Sequence, residues 1–228
     1  MNEDLGILIP AYNEEKTIGG IVKKLKETFS MVVVVDDGST DKTSSLAGEN
    51  GAIVLKHVKR SGKGRALQTG FSFLTGKNVK AILTMDADDQ HKVSDIKNFL
   101  SAYKRRPDVD IWIGKRKIKK SLMPFIRRLT NISMSLLISL LSLQYIPDTQ
   151  SGFRLIKSCI LKNQKFRSSY FEMESELLIK SSLKGAGIGS VLIETVYEKQ
   201  RSKINPIKDT IRFFKMLFFV IFDLWKKT

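Results

Sequence analysis

Two aspartates, Asp86 and Asp88, stand at spacing i, i+2 directly after the strand-like run Ile82-Leu83-Thr84-Met85. Carboxylates so placed can hold a divalent cation, because Mg²⁺ typically takes one or two protein carboxylates and fills its other positions with substrate phosphate oxygens and water. The same tripeptide also reads as a solvated acidic turn ahead of a helix, since a lone D-x-D is a weak signal. The chain's two histidines, His57 and His91, are too far apart in sequence to suggest a pair. His91 reads either as a member of a metal shell beside the acidic cluster or as a surface residue. Glu172, Glu174 and Glu176 read as a solvated helix face that needs no function.

The elements that must position these groups follow from hydrophobic period. Residues 5–9, 31–35, 53–55, 81–85 and 109–113 are short apolar or β-branched runs of strand type, the first stopped by Pro10. The run at 31–35 is continuous, as in a strand covered on both faces. Between them lie helical patterns. Asn13 is the expected cap of a helix with Ile18, Ile21, Val22, Leu25 and Phe29 on one face. Gly51 can close a second helix, residues 61–64 open a third through Phe71 and Phe73, and Ile96, Phe99, Leu100 and Tyr103 share the face of a fourth. Strands alternating with helices predict a parallel, doubly wound sheet. Residues 10–14, 36–37 and 86–88 then all lie just past strand ends, on the edge where such sheets place their ligand crevice.

A chain of 228 residues predicts one large domain, or a domain with an appendage. With 39 Lys+Arg against 23 Asp+Glu the net charge is +16, which favours polyanionic partners: nucleic acid, phosphorylated small molecules or an anionic membrane face. The single cysteine, Cys159, excludes an internal disulfide and a cysteine-built zinc site. The acidic start leading straight into a strand predicts no secretory signal and a cytoplasmic location. Residues 129–147 carry no charge, but Asn131, four serines and Gln144 favour an amphipathic helix or pair lying on a surface over a membrane span. Residues 148–154 read as a loop entering a short strand, 171–183 as helix, 191–197 as strand, and Pro206 as the first turn of a last helix.

Five motifs occur in order: Ile9-Pro10-Ala11-Tyr12-Asn13-Glu14-Glu15, Val35-Asp36-Asp37-Gly38-Ser39-Thr40-Asp41, Gly62-Lys63-Gly64, Asp86-Ala87-Asp88 and Ser151-Gly152-Phe153-Arg154. The chain thereby resembles the family-2 inverting glycosyltransferases of GT-A fold, and most of all the dolichyl-phosphate mannose synthase and dolichyl-phosphate glucosyltransferase group. The resemblance implies an α/β fold with a Rossmann-like, mostly parallel central sheet, helices on both faces and an added C-terminal amphipathic helix. It implies a catalytic domain over residues 1–205 and a membrane-associating or packing helix over 206–228. It assigns Pro10, Tyr12, Glu14, Asp37, Asp86, Ala87, Asp88 and Gln90 to the nucleotide-sugar, with Asp37 reading the base. Asp86 and Asp88 would be metal ligands for Mg²⁺ or Mn²⁺, Asp88 the stronger. Arg116, Arg127, Arg128 and Lys203 would meet the acceptor phosphate, the three arginines and the two aspartates forming the catalytic set. Departures accompany these matches: Asp89 replaces an apolar residue, and Arg127 and Arg128 are followed four residues on by Asn131 and Ile132 where a serine is usual.

The implied activity is metal-dependent transfer of a hexose from a GDP- or UDP-sugar to a polyprenyl phosphate at the cytoplasmic, inner face of a membrane. A lipid phosphate is already ionised and needs no strong base. A sugar or protein hydroxyl acceptor, the alternative, would need one, and Asp148 is then the candidate, with a turn residue as its other reading. A nucleic-acid-binding module is disfavoured because no stacking-platform motif is present, so no nucleic-acid partner is expected. A Rossmann dehydrogenase is disfavoured because no G-x-G-x-x-G follows the first strand. In the last helix Ile207, Ile211, Phe214, Phe218, Ile221 and Trp225 recur at helical spacing beside Lys208, Arg212 and Lys215. That apolar face would lie on an anionic membrane surface or, alternatively, pack on the catalytic domain or on a second subunit.

Overall fold

The computed structural model describes residues 4–116, 125–162, 164–194 and 206–225. The β-branched run takes its place as an inner strand, β2 (Met31–Asp36), beside β1 (Leu5–Ala11). With β3 (Ile53–Lys56), β4 (Ala81–Thr84), β5 (Val109–Arg116), β6 (Arg154–Lys157) and β7 (Gly187–Ile193) these form one seven-stranded sheet in the order β3-β2-β1-β4-β6-β5-β7. All neighbours run parallel except β6, which is antiparallel to both β4 and β5.

Alternate residues of each strand feed two cores, as the two-residue period requires. Ile7, Ile9, Val32, Val34, Leu83 and Leu155 face α1 (Ile18–Lys26), α2 (Thr43–Glu49) and α4 (Ile96–Arg105). Leu8, Val33, Val35, Ile82 and Ile156 face α3 (Lys63–Gly76), α5 (Phe125–Ser142), the single turn α6 (Ser158–Leu161), α7 (Glu172–Ser182) and α8 (Pro206–Trp225). Among the described residues no helix is long and apolar enough to cross a membrane.

The structure departs from the sequence expectations at identifiable points. β1 runs through Pro10 to Ala11, because β4 pairs only as far as Leu8 and the proline's missing N–H costs no bond on that side. Asn13 does not cap α1, which begins at Ile18. It takes a left-handed φ of 52°, its N–H bonded to Ser39 Oγ and its Oδ1 accepting from Thr40 N. Glu172, Glu174 and Glu176 are buried, not solvated, in a helix covered almost all round. The last strand starts at Gly187 rather than 191, and residues 195–197 lie outside the described residues.

On α8 the two faces separate cleanly. Phe213, Met216, Leu217 and Val220 enter the core, while Ile211, Phe214, Phe218 and Ile221 are exposed. The described members of the periodic stripe read from the sequence, Ile211, Phe214, Phe218 and Ile221, thus turn away from the core, and the face opposite them packs into it. The side chains of Ile207 and Trp225 lie outside the described residues.

Candidate active site

Parallel β1, β2 and β4 deliver their C-terminal ends to one edge, and the loops there carry the polar motifs. Past β2, Asp37 is buried and its carboxylate is a hub. Oδ1 accepts from Ser61 N at 2.9 Å and meets His57 Nδ1 at 2.8 Å, while Oδ2 accepts from Gly62 N at 2.7 Å. The turn before α3 is thus fastened to the end of β2. It continues to Arg60, whose guanidinium lies 4.3 Å from the centre of the Tyr12 ring. Gly38, with φ of 78°, lets the two loops touch: a Cβ there would stand 2.7 Å from Arg60 N. Pro10, Tyr12, Glu14 and Asp37 accordingly gather on one side of the edge; Glu14 N donates to Thr43 Oγ1 at 2.8 Å.

The acidic pair follows β4. Ala87 is buried, its carbonyl accepting from Thr17 Oγ1 at 2.6 Å, and Gln90 N donates to Asp88 Oδ1 at 3.1 Å. Asp86 accepts an ion pair from Lys63 Nζ at 2.7 Å, and the same ammonium reaches Glu174 Oε2 at 3.0 Å. Burial alone would raise the Asp86 carboxyl, but Lys63, with His91 and Arg116 nearby, holds it below the usual range. Asp88 moves the other way: burial and the neighbouring Asp86 charge push it up, with Glu14 adding to the effect. Lys63 itself would be lowered by burial, yet Asp86 and Glu174 keep it above the ordinary lysine range.

A divalent cation fits this pair. Among the described residues no three His, Cys, Asp or Glu side chains gather to enclose a metal. Two carboxylates, one of them resisting ionisation because it is buried and beside the other's charge, nevertheless make an incomplete site of the kind that Mg²⁺ completes with phosphate oxygens. His91 is not a surface residue. Its ring is buried, stacked on Phe153 at 4.9 Å, with Nδ1 accepting from Asp86 N at 3.4 Å, and burial lowers it to about 4. It shapes the acidic loop from beneath as a neutral ring.

Residues 148–154 close the other side. Gly152 abuts the Asp86–Lys63 ion pair so tightly that a Cβ there would stand 2.6 Å from a carboxylate oxygen of Asp86 and 2.8 Å from Lys63 Nζ, and its carbonyl accepts from Thr84 Oγ1 at 2.8 Å. Arg154, 1% exposed, spends its guanidinium on the carbonyls of Ser151, Thr149 and Glu174 at 2.7–2.8 Å, locking this loop to α7. Arg116, at the end of β5, forks onto Asp148. The end of β5 that carries Arg116 is tied to this region, since Gly114 N donates to the Phe153 carbonyl at 2.8 Å and the Phe153 ring stacks on His91.

Of the residues expected from sequence, Pro10, Tyr12, Glu14, Asp37, Asp86, Ala87, Asp88, Gln90 and Arg116 lie on this one edge. The side chains of Arg127 and Arg128, in the first turn of α5, and all of Lys203 lie outside the described residues. Lys63, Glu174 and Arg154 received no role from sequence. The lysine's place between two glycines was the available signal, since a residue so flanked lets backbone approach closely while carrying one long cation.

A family model described as Glycosyl transferase family 2 matches residues 6–171. An uncharacterized protein of Methanocaldococcus jannaschii is 33% identical over 225 residues, covering 96% of this chain and 91% of its own. The UDP-N-acetylglucosamine–dolichyl-phosphate N-acetylglucosaminyltransferase of Methanococcus voltae is 30% identical over 214 residues, covering 84% of this chain and 85% of that protein. Glucosyl-3-phosphoglycerate synthase from Mycobacterium tuberculosis, solved in complex with Mn²⁺, UDP and phosphoglyceric acid, aligns with a TM-score of 0.69 at 18% identity, covering 87% of this chain and 71% of that one. At that identity the likeness speaks to architecture, and the architecture is GT-A.

Proposed function

The chain belongs to glycosyl transferase family 2, and on that premise we propose that it moves a hexose from a nucleotide-sugar to a polyprenyl phosphate. The observation that carries the acceptor class is the Arg116–Asp148 fork beside the acidic loop. Both oxygens of Asp148 already accept from a guanidinium, which disfavours Asp148 as the base that a hydroxyl acceptor would need. With its Nε–Nη2 edge fixed on Asp148, the guanidinium is held in one plane as a localised positive charge for an incoming phosphate, and an ionised phosphate needs no base.

In this reading Tyr12, Asp37 and the turn at Arg60–Gly62 receive the nucleotide, with Pro10, Glu14 and Gln90 around it. Asp86 and Asp88 would hold Mg²⁺ or Mn²⁺, which when bound supplies Lewis-acid neutralisation of the departing diphosphate. Lys63 keeps Asp86 ionised and in place. Arg116, with Arg127, Arg128 and Lys203, would orient the acceptor phosphate in line with the anomeric carbon, the contribution that positioning makes to a two-substrate reaction.

The exposed face of α8, with Phe214 59% and Phe218 65% exposed, supports peripheral attachment to an anionic leaflet, where the lipid-borne acceptor would be. Basic residues such as Lys208 and Lys215 are worth about 1 kcal/mol each near such a surface. The cytoplasmic, inner-face location belongs to this reading, as does the two-part division at residue 205; a second subunit on the same face is the alternative.

Thermal melting with a panel of nucleotides and Mn²⁺ tests the donor half. A ligand binding only the folded state at about 100 times its Kd adds about 2.7 kcal/mol. A rise with UDP or GDP that needs the metal and is lost in Asp88→Asn supports the reading; a rise only with oligonucleotides would overturn it.

A further inference from the structure

We propose that Arg212, on the C-terminal helix α8, is a positioning residue for the turn at Ser61–Gly64 on the donor side of the active site, acting through Tyr170. The donor-side role rests on the functional reading above; the mechanical coupling does not.

The contact path is short. The Arg212 guanidinium lies over the Tyr170 ring, 3.7 Å from its centre, and is steadied by a 2.8 Å bond from Nη1 to Asp209 Oδ1 on the preceding turn. Tyr170 is in turn wedged against the start of α3. A Cβ on Gly62 would stand 2.3 Å from the Ser169 carbonyl oxygen and 2.7 Å from the Tyr170 ring, and one on Gly64 would stand 2.6 Å from the Tyr170 carbonyl oxygen. Arg65 N donates to that Ser169 carbonyl at 3.0 Å. Only glycine allows approach this close, and Gly62 also holds a φ of 103° that other residues rarely adopt.

Beyond the glycines the turn is tied to the nucleotide side, since Ser61 N and Gly62 N both donate to Asp37. One residue on, Lys63 pairs with Asp86. Residues 168–170 are therefore a spacer with α8 on one side and both halves of the donor site on the other. Its backbone is fixed from α7, where Glu176 accepts from Ser168 N at 2.9 Å and Glu172 from Ser169 N and Tyr170 N at 3.3 Å. From α8, Arg212 lies on the Tyr170 ring that abuts Gly62. The sequence pattern put Arg212 with Lys208 and Lys215 beside the apolar face of the last helix; the structure sets its guanidinium on an aromatic face, with its side chain 34% exposed.

The test uses the full chain with Arg212→Met, which keeps the apolar stem and removes the cation, and Arg212→Lys, which keeps a cation for the ring. Hydrogen exchange of the Ser61, Gly62 and Arg65 amides is the first measurement, with those of Val33 and Ile21 as controls. Arg212→Met is expected to speed the three amides roughly three- to thirtyfold, the range open to a cation–π contact, with the controls unchanged and Arg212→Lys close to the parent. Unchanged exchange in a folded Arg212→Met protein, or faster exchange at the controls as well, overturns the coupling. This arm needs no nucleotide and decides even if the functional reading fails. The second measurement is kinetic: Arg212→Met should raise KM for the nucleotide-sugar by a similar factor with kcat little altered. Faster exchange together with an unaltered donor KM overturns the donor-side role.

Discussion

Arg116 holds Asp148 in a two-bond fork, Nε to Oδ2 at 2.8 Å and Nη2 to Oδ1 at 2.9 Å, and the Arg116 backbone N–H reaches Oδ2 as well at 3.4 Å. Thirty-two residues apart in sequence, the two close one side of the acidic crevice. The fork engages both oxygens of the carboxylate with a cation and fixes the plane of the guanidinium.

Asp148→Asn should therefore behave as an acceptor-site defect. The amide keeps one acceptor for Arg116 and loses the charge, and bonds to charged groups contribute about 1.5–3 kcal/mol. Initial rates against acceptor concentration should give an acceptor KM roughly tenfold or more above the parent, with donor KM unmoved. A collapse of kcat with normal acceptor KM, accompanied by loss of the pH profile's acidic limb, would restore Asp148 as the base.

Asp88→Asn preserves shape and removes the carboxylate that Asp86 already disfavours. Turnover in Mg²⁺ or Mn²⁺ should fall by several orders of magnitude while circular dichroism and melting temperature stay near the parent, or rise slightly because a like-charge contact is relieved. Retained metal-dependent turnover would show that the ion is held elsewhere.

Glu176 makes stability depend on pH. Burial would raise its carboxyl, but Lys180, Ser168 and the Arg167 N–H outweigh that and hold it below its ordinary 4.5. A carboxyl depressed in the folded state stabilises fully above the unfolded value and loses that contribution as pH falls through the folded one. Glu176→Gln should cost about 1–3 kcal/mol at neutral pH, and the gap from the parent should narrow as pH falls below the ordinary 4.5 and through the lower folded value. Melting curves across pH check this; a gap independent of pH would mean the loss is one of packing.

The sheet's left half and the converging polar loops were legible in the sequence because each strand and its following motif are contiguous. The reversal of β6 was not, since a four-residue strand carries no mark of its direction. The buried glutamates of α7 misled for a related reason. Glu176 is satisfied by Arg167 N, Ser168 N and Lys180, and Glu174 by Lys63, more than a hundred residues away, so charge alone on a helix gave no sign of burial. Lys63 and Arg154 stayed silent because their partners, Asp86 for one and three backbone carbonyls for the other, meet them only when the sheet closes. The inward turn of Arg212 was hidden by a helical pattern that shows spacing but not which residue finds a ring.

Transfer to a lipid phosphate is decided by identifying the product. The full chain is incubated with UDP- and GDP-hexoses, Mg²⁺ or Mn²⁺, and either a short polyprenyl phosphate or the matching polyprenyl alcohol, and the lipid is analysed by mass spectrometry. A hexosyl polyprenyl monophosphate is expected from the phosphate alone, with formation falling in Arg116→Ala while slow hydrolysis of the donor persists. Glycosylation of the alcohol, or donor turnover that never labels the lipid phosphate, would contradict it.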